Sequence, residues 1–315
     1  MSKIKYTSNE IHYEPKIQAL IDQHPCYSSK GSRKLARIHL PVAAGCNTQC
    51  GYCNRKYDCV NESRPGVTSR LLTPKEAVEL VGRVVKKMPQ VSVVGIAGPG
   101  DPLANPEATL GTLKAVQHAY PHLKLCLSTN GLTLPDYVND LVALKVEYVT
   151  ITMNTIDPLT AMRIYSWVRW GGQRLTGMAA AEKLLERQQT GLQQLAARGV
   201  LVKVNSVLLP GINDTEMTAI AHKARDLGAN LLNIMPLVRS PGSIFEDMPP
   251  VTNAQLEQAR NECASILPLM RHCQQCRADA IGFLGDDRSA EYLTPRETKK
   301  HCGCGKTTTK EKCCA

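Results

Sequence analysis

The chain has 315 residues, of which 43% are hydrophobic and 13 are cysteine, and its formal net charge is +10. That hydrophobic share excludes a disordered chain. Residues 1–14 lack the apolar run of a secretory signal, and no stretch approaches the roughly 18 apolar residues that suggest a membrane-spanning helix. The expected location is therefore cytoplasmic, with no membrane partner. Stable disulfides are rare in that compartment, so the cysteines point to metal or redox chemistry. Only 2 Phe, 2 Trp and 10 Tyr are present, too few for an aromatic stacking surface, and no nucleic-acid partner is expected.

Taken in chain order, six short runs rich in Val, Ile, Leu and Thr read as strands: residues 36–42, 91–97, 123–129, 148–153, 201–208 and 230–236. Helical patterns lie between and after them. Thr73-Pro74-Lys75-Glu76 gives a cap with Pro at the first helical position. Residues 106–120, 136–144, 178–198, 214–227 and 253–271 complete the set. Strands alternating with helices predict an α/β fold of parallel βαβ units, either doubly wound or barrel-like, with its site at the strand C-terminal ends. Two connections are long. One, residues 41–72, holds a cysteine cluster; the other, residues 154–177, holds Trp167 and Trp170 and reads as a lid.

The strongest signal is Cys46-Asn47-Thr48-Gln49-Cys50-Gly51-Tyr52-Cys53, just after the first strand. Three thiolates so spaced fold round one cubane cluster and leave its fourth iron open to a ligand. Zinc is the rival, but zinc knuckles favour C-x2-C pairs. The run Gly95-Ile96-Ala97-Gly98-Pro99-Gly100-Asp101-Pro102 follows the second strand, and Ser128-Thr129-Asn130-Gly131 ends the third. Asn154 and Asn205 end later strands. Each alone reads more readily as a cap or turn residue; their shared placement at strand ends points to a site. Outside these lie Cys26 in His24-Pro25-Cys26, Cys59, Cys126 within the third strand, and Cys273-Gln274-Gln275-Cys276. Cys263, on a helix, reads as a core residue.

The cysteine motif, with an aromatic residue before its third Cys, resembles the radical S-adenosylmethionine (SAM) superfamily. That resemblance implies a partial (β/α)6 TIM-like barrel with N- and C-terminal extensions. It implies a 4Fe–4S cluster on Cys46, Cys50 and Cys53, with SAM on the open iron. Tyr52, Gly98, Asp101, Ser128, Asn130, Asn154 and Asn205 become candidate SAM-binding positions. The expected division is an extension over residues 1–35, a barrel over 36–271, a CxxC segment over 272–293 and a Cys-rich tail over 294–315.

The motifs taken together are similar to a narrower group, the NifB family of nitrogenase cofactor assembly. They are His24-Pro25-Cys26, the stretch from Cys46 to Cys59, Asn61-Glu62-Ser63-Arg64-Pro65-Gly66, Gly98-Pro99-Gly100-Asp101-Pro102-Leu103, and His272-Cys273-Gln274-Gln275-Cys276-Arg277-Ala278-Asp279-Ala280. The resemblance implies two further 4Fe–4S clusters, fused with a SAM-derived carbide and an added sulfur into an 8Fe–9S–C product. It implies that Cys26, Cys59, Cys126, Cys273 and Cys276 share those clusters with one histidine, His24 or its rival His39. Glu62 is the candidate base and Arg64 its neighbour in the same polar segment. Implied partners are iron–sulfur donors, a downstream cofactor carrier and an electron donor such as ferredoxin, acting on a monomer. Many bacterial members carry a carrier-like domain after the barrel, and the chain reads as a short form. Cys302, Cys304, Cys313 and Cys314 fall outside the pattern. The rival readings are a radical SAM enzyme that modifies RNA or peptide, and a non-catalytic iron–sulfur scaffold.

Overall fold

A computed structural model describes residues 4–6, 11–59 and 70–293. Six parallel strands form its centre: β1 (Ala36–His39), β2 (Val91–Ile96), β3 (Lys124–Thr129), β4 (Val146–Thr152), β5 (Leu201–Leu208) and β6 (Leu231–Pro236). They stand side by side in chain order. β7 (Ile281–Phe283) adds antiparallel to β1, and β8 (Asp286–Asp287) pairs with β7, so the sheet is mixed and stays open. All six expected strands are present.

Strand alternation separates two environments. Ile38, Val94, Ile96, Leu125, Leu127, Val149, Ile151, Val202, Val204, Leu232 and Ile234 belong to the main apolar core. Residues of the other parity face a central cavity, among them Arg37, His39, Gly95, Cys126, Ser128, Thr150, Lys203, Asn205 and Asn233. The outer helices are α1 (Pro74–Lys87), α2 (Pro106–Ala119), α3 (Leu134–Ala143), α4 (Gly177–Ala197), α5 (Met217–Asp226) and α6 (Asn253–Cys263). α1 starts in a complete capping box, with Thr73 and Glu76 each bonding the other's backbone.

Two expectations are corrected. The last helix ends at Cys263, not near residue 271. Pro268 lies beyond it, and from Pro268 to Met270 the backbone instead bonds to Leu232 beside β6. The connection after Asn154 is a built element: a short helix Pro158–Ile164 and a hairpin, Tyr165–Trp170 with Gln173–Leu175. The first hairpin strand pairs antiparallel with Thr48–Cys50, inside the cysteine motif. The two long connections therefore form one small sheet.

The N-terminal end of the parallel strands is covered by the segment around helix Pro15–Ile21. Tyr148 donates to Leu20 O at 2.7 Å, and the Tyr27 hydroxyl lies 3.3 Å from the carbonyls of Val149 and Leu201. His24, Tyr27 and Tyr148 pack ring against ring. No described helix is long and apolar enough to cross a membrane.

Candidate active site

Two adjoining cavities open among the strand ends. The first, about 400 Å³, is lined by Cys46, Cys50 and Cys53, with Tyr52, Arg55, Cys59, Gly100, Asp101, Ser128, Thr129 and Asn130. The second, about 590 Å³, is lined by Cys26, Cys126, Cys273 and Cys276, with His24, His39, Arg37, Lys203 and Asn205. Ser128 lines both. No described cysteine is in a disulfide.

Asp101 builds the first cavity. Buried to 3% exposure, it accepts from the backbone of Leu103 (2.9 Å), Ala104 (3.2 Å) and Asn130 (2.6 Å), and from the Thr129 hydroxyl (3.0 Å). Burial raises its pKa, and these hydrogen bonds oppose the rise. Asn130 Nδ2 then donates to Asn47 Oδ1 at 2.7 Å, tying the end of β3 to the cysteine loop. A Cβ at Gly100 would come within 1.9 Å of Gly45 O, so glycine here lets the β2 loop lie against the cysteine loop. Arg55 spans the same junction, donating to Pro99 O and Ala44 O.

The candidate SAM positions separate accordingly. Tyr52, Asp101, Ser128 and Asn130 reach the first cavity; Asn205 lies in the second. Gly98 and Asn154 line neither. Asn154 is fully buried, donating to the hydroxyls of Tyr52 (2.6 Å) and Tyr165 (3.1 Å) while its Oδ1 accepts from Val207 N–H, so it fixes the scaffold behind the cleft. Cys59 stands with Cys46, Cys50 and Cys53, apart from the second-cavity thiols it was grouped with. Glu62, Arg64 and the tail cysteines lie outside the described residues.

The first cavity is lined by the thiols of Cys46, Cys50, Cys53 and Cys59, the donor type that an iron–sulfur cluster takes, although among the described residues no three such donors converge as they would round a single metal ion; the Arg55 guanidinium lowers the Cys53 pKa against the rise that burial causes. In the second, burial pushes the Cys26 thiol up to about 11, with Lys203 acting the other way. A metal bound there would have to displace that proton. Arg37, only 2% exposed, donates to Cys276 Sγ at 2.9 Å. Arg37 and Lys203 thus place positive charge beside Cys276 and Cys26, which offsets negative charge on thiolates there. Arg37 and Lys203 were missed in the sequence, where they read as ordinary polar positions in alternating strands.

The two histidines differ. His39 Nδ1 lies 3.0 Å from Arg277 O, an acceptor, so it carries the proton and leaves the Nε2 lone pair available. Burial, then the Arg37 charge, lowers the His39 pKa to about 4, which keeps the ring neutral. His24 Nδ1 instead accepts the Cys26 N–H at 3.0 Å. Its proton sits on Nε2, which is buried with no partner among the described residues.

The radical SAM superfamily model matches residues 40–224. The chain belongs to the radical SAM superfamily, whose enzymes bind a 4Fe–4S cluster and SAM. Within it the resemblance to NifB proteins holds over most of the chain. It is 53% identical over 273 residues to the FeMo cofactor biosynthesis protein NifB of Klebsiella pneumoniae, covering 85% of this chain and 58% of that one. For the NifB of Herbaspirillum seropedicae the identity is 48% over 286 residues, covering 90% and 54%. The chain thus spans a little over half the length of these relatives. Two solved structures share the fold: HydG, a maturase of the [FeFe]-hydrogenase (TM-score 0.53, 15% identity, 81% of this chain and 55% of that one), and Streptococcus suis SuiB (TM-score 0.54, 14%, 83% and 56%).

Proposed function

We propose that the chain acts in FeMo cofactor biosynthesis as a radical SAM enzyme. It fuses two 4Fe–4S substrate clusters, with a SAM-derived carbide and an added sulfur, into an 8Fe–9S–C precursor. One observation carries this reading: a second, thiol-lined cavity adjoins the cysteine-motif cleft, and Ser128 belongs to both. A methyl group and a radical formed at the first cavity then have their target beside them.

Cys46, Cys50 and Cys53 hold the SAM cluster, which when bound supplies the electron that cleaves SAM. Asp101 positions Asn130, and Asn130 holds the loop. Cys26, Cys126, Cys273 and Cys276 hold the substrate clusters, with Cys59 reaching from the first-cavity side. His39, with its Nε2 lone pair available, is the imidazole ligand, and His24 Nε2–H is a donor to cluster sulfur. Arg37 and Lys203 offset the cluster charge. The shortage of ligands for two complete cubanes suits a product that must leave. Glu62 is the proposed base for removing methyl protons. Cluster donors, a ferredoxin-type reductant and a cofactor carrier are the proposed partners.

The test is the fate of SAM. Reconstituted protein should make both S-adenosylhomocysteine and 5′-deoxyadenosine, and deuterium from CD3-labelled SAM should appear in the latter. Replacing Cys26, Cys59, Cys126, Cys273 and Cys276 with Ala should abolish S-adenosylhomocysteine while some 5′-deoxyadenosine persists. Unlabelled 5′-deoxyadenosine as sole product would favour radical modification of RNA or peptide. No SAM cleavage at all would favour a scaffold.

A further inference from the structure

The hairpin over the cysteine motif carries a surface that the chemistry above does not use. Arg163, Arg169 and Arg174 fall between Asp157 and Glu182, and no acidic residue lies in that interval. All three are exposed. Arg169 and Arg174 are directly cross-strand partners, a like-charge pairing that costs stability. Arg174 lies over the Trp167 ring at 5.1 Å, and neither it nor Arg169 forms an ion pair with a described residue.

Exposed apolar side chains lie on the two helices that flank the hairpin in sequence, Pro158–Ile164 before it and α4 after it. Leu159 is 64% exposed, Met162 41% and Met178 39%. Leu159 and Met162 share one helix face by their spacing. Met162 Cε lies 3.9 Å from where a Cβ on Gly177 would stand, which brings it to the start of α4 beside Met178. Exposed Met and Leu beside Arg and Trp have the composition of a protein interface. A phosphate-tracking surface would be polar throughout.

The position selects the partner. Trp167 is the cross-strand partner of Gln49, and Tyr165 of Cys50, so the hairpin is paired edge to edge with the strand that carries Cys50, a ligand of the SAM cluster. We propose that the Tyr165–Leu175 hairpin and the Leu159–Met162–Met178 patch form the docking surface for an acidic one-electron carrier protein that reduces the SAM cluster. This rests on the superfamily's cluster at Cys46, Cys50 and Cys53. The carrier's acidic rim meets Arg169 and Arg174, the apolar patch excludes water, and one electron passes from the reduced carrier to the oxidised cluster. Such a contact is steered by charge, so its rate falls as salt rises.

The experiment uses the iron-reconstituted, SAM-bound 315-residue chain and a small acidic bacterial 4Fe–4S ferredoxin, with cluster reduction followed by stopped-flow absorbance. Arg169→Glu/Arg174→Glu should slow reduction by ferredoxin at least tenfold at low salt and remove most of its salt dependence. Arg169→Lys/Arg174→Lys should stay within about threefold of wild type. Reduction by dithionite, which needs no docking face, should be equal in all three, showing that the cluster and fold are intact. Unchanged ferredoxin rates in the Glu variant would overturn the proposal. So would unchanged rates combined with lost binding to phosphatidylglycerol vesicles, which would make the face a membrane contact. A wild-type cluster that dithionite does not reduce would overturn the cluster assignment itself.

Discussion

The backbone N–H of Asn130 donates to Asp101 Oδ2 at 2.6 Å, and through that bond the loop after β2 fixes the end of β3. Asn130 then passes the constraint to Asn47, next to the first cluster cysteine. Asp101→Ala should orphan the buried N–H groups of Asn130 and Leu103 and cost about 3 kcal/mol or more. Urea denaturation of the apo protein would measure it. A loss under 1 kcal/mol would mean that water replaces the carboxylate.

Replacing Cys46, Cys50 and Cys53 together with Ala should remove SAM cleavage while leaving iron in the second cavity. Iron quantitation and 5′-deoxyadenosine detection after dithionite reduction would show both. Persistent 5′-deoxyadenosine would refute the assignment.

The hydrogen bonding of the two histidines predicts opposite spectroscopic results. His39→Ala should eliminate nitrogen coupling to a reduced substrate cluster in pulsed EPR. His24→Ala should retain it, with at most a small change in line shape. The reverse pattern would show that His24 rotates to become the ligand.

The low His39 pKa also has a stability consequence. Unfolded His39 protonates near 6.5 and folded His39 only near 4. Between these values the unfolded state binds the extra proton, so stability present above pH 6.5 is lost as pH falls towards 4. The difference corresponds to about 3 kcal/mol. Burial lowers the His24 pKa as well, adding to the same slope. Apo His39→Gln should lose less stability than wild type between pH 7 and pH 5 in anaerobic urea titrations. Parallel curves would contradict the assignment.

The βα units were readable because each is a local pattern: Val, Ile and Leu runs closed by Gly or Pro, and helices announced by caps such as Thr73. The hairpin was not, because its first strand is defined by pairing with Thr48–Cys50, a contact that periodicity along the chain does not contain. The same holds for Arg37 and Lys203, whose meaning comes from the thiols opposite them. Cys46, Cys50 and Cys53 were legible as a unit from spacing alone. The grouping of Cys26, Cys126, Cys273 and Cys276 was available only through the family resemblance, since their positions in sequence are far apart. For Asn154 the sequence could not separate two roles, because a buried asparagine bonded to Tyr52 and Tyr165 and a ligand-binding one look alike at a strand end.

The pairing of Gln49 with Trp167 also bears on synthesis. Residues 46–53 leave the ribosome early, but the strand that frames them arrives only after β2, β3 and β4 have been made. Until then the three thiols sit on an unpaired segment, exposed to adventitious metals and oxidants. Cluster insertion into the nascent chain would therefore meet an unframed loop. The final geometry becomes available only late in translation, which favours loading after release.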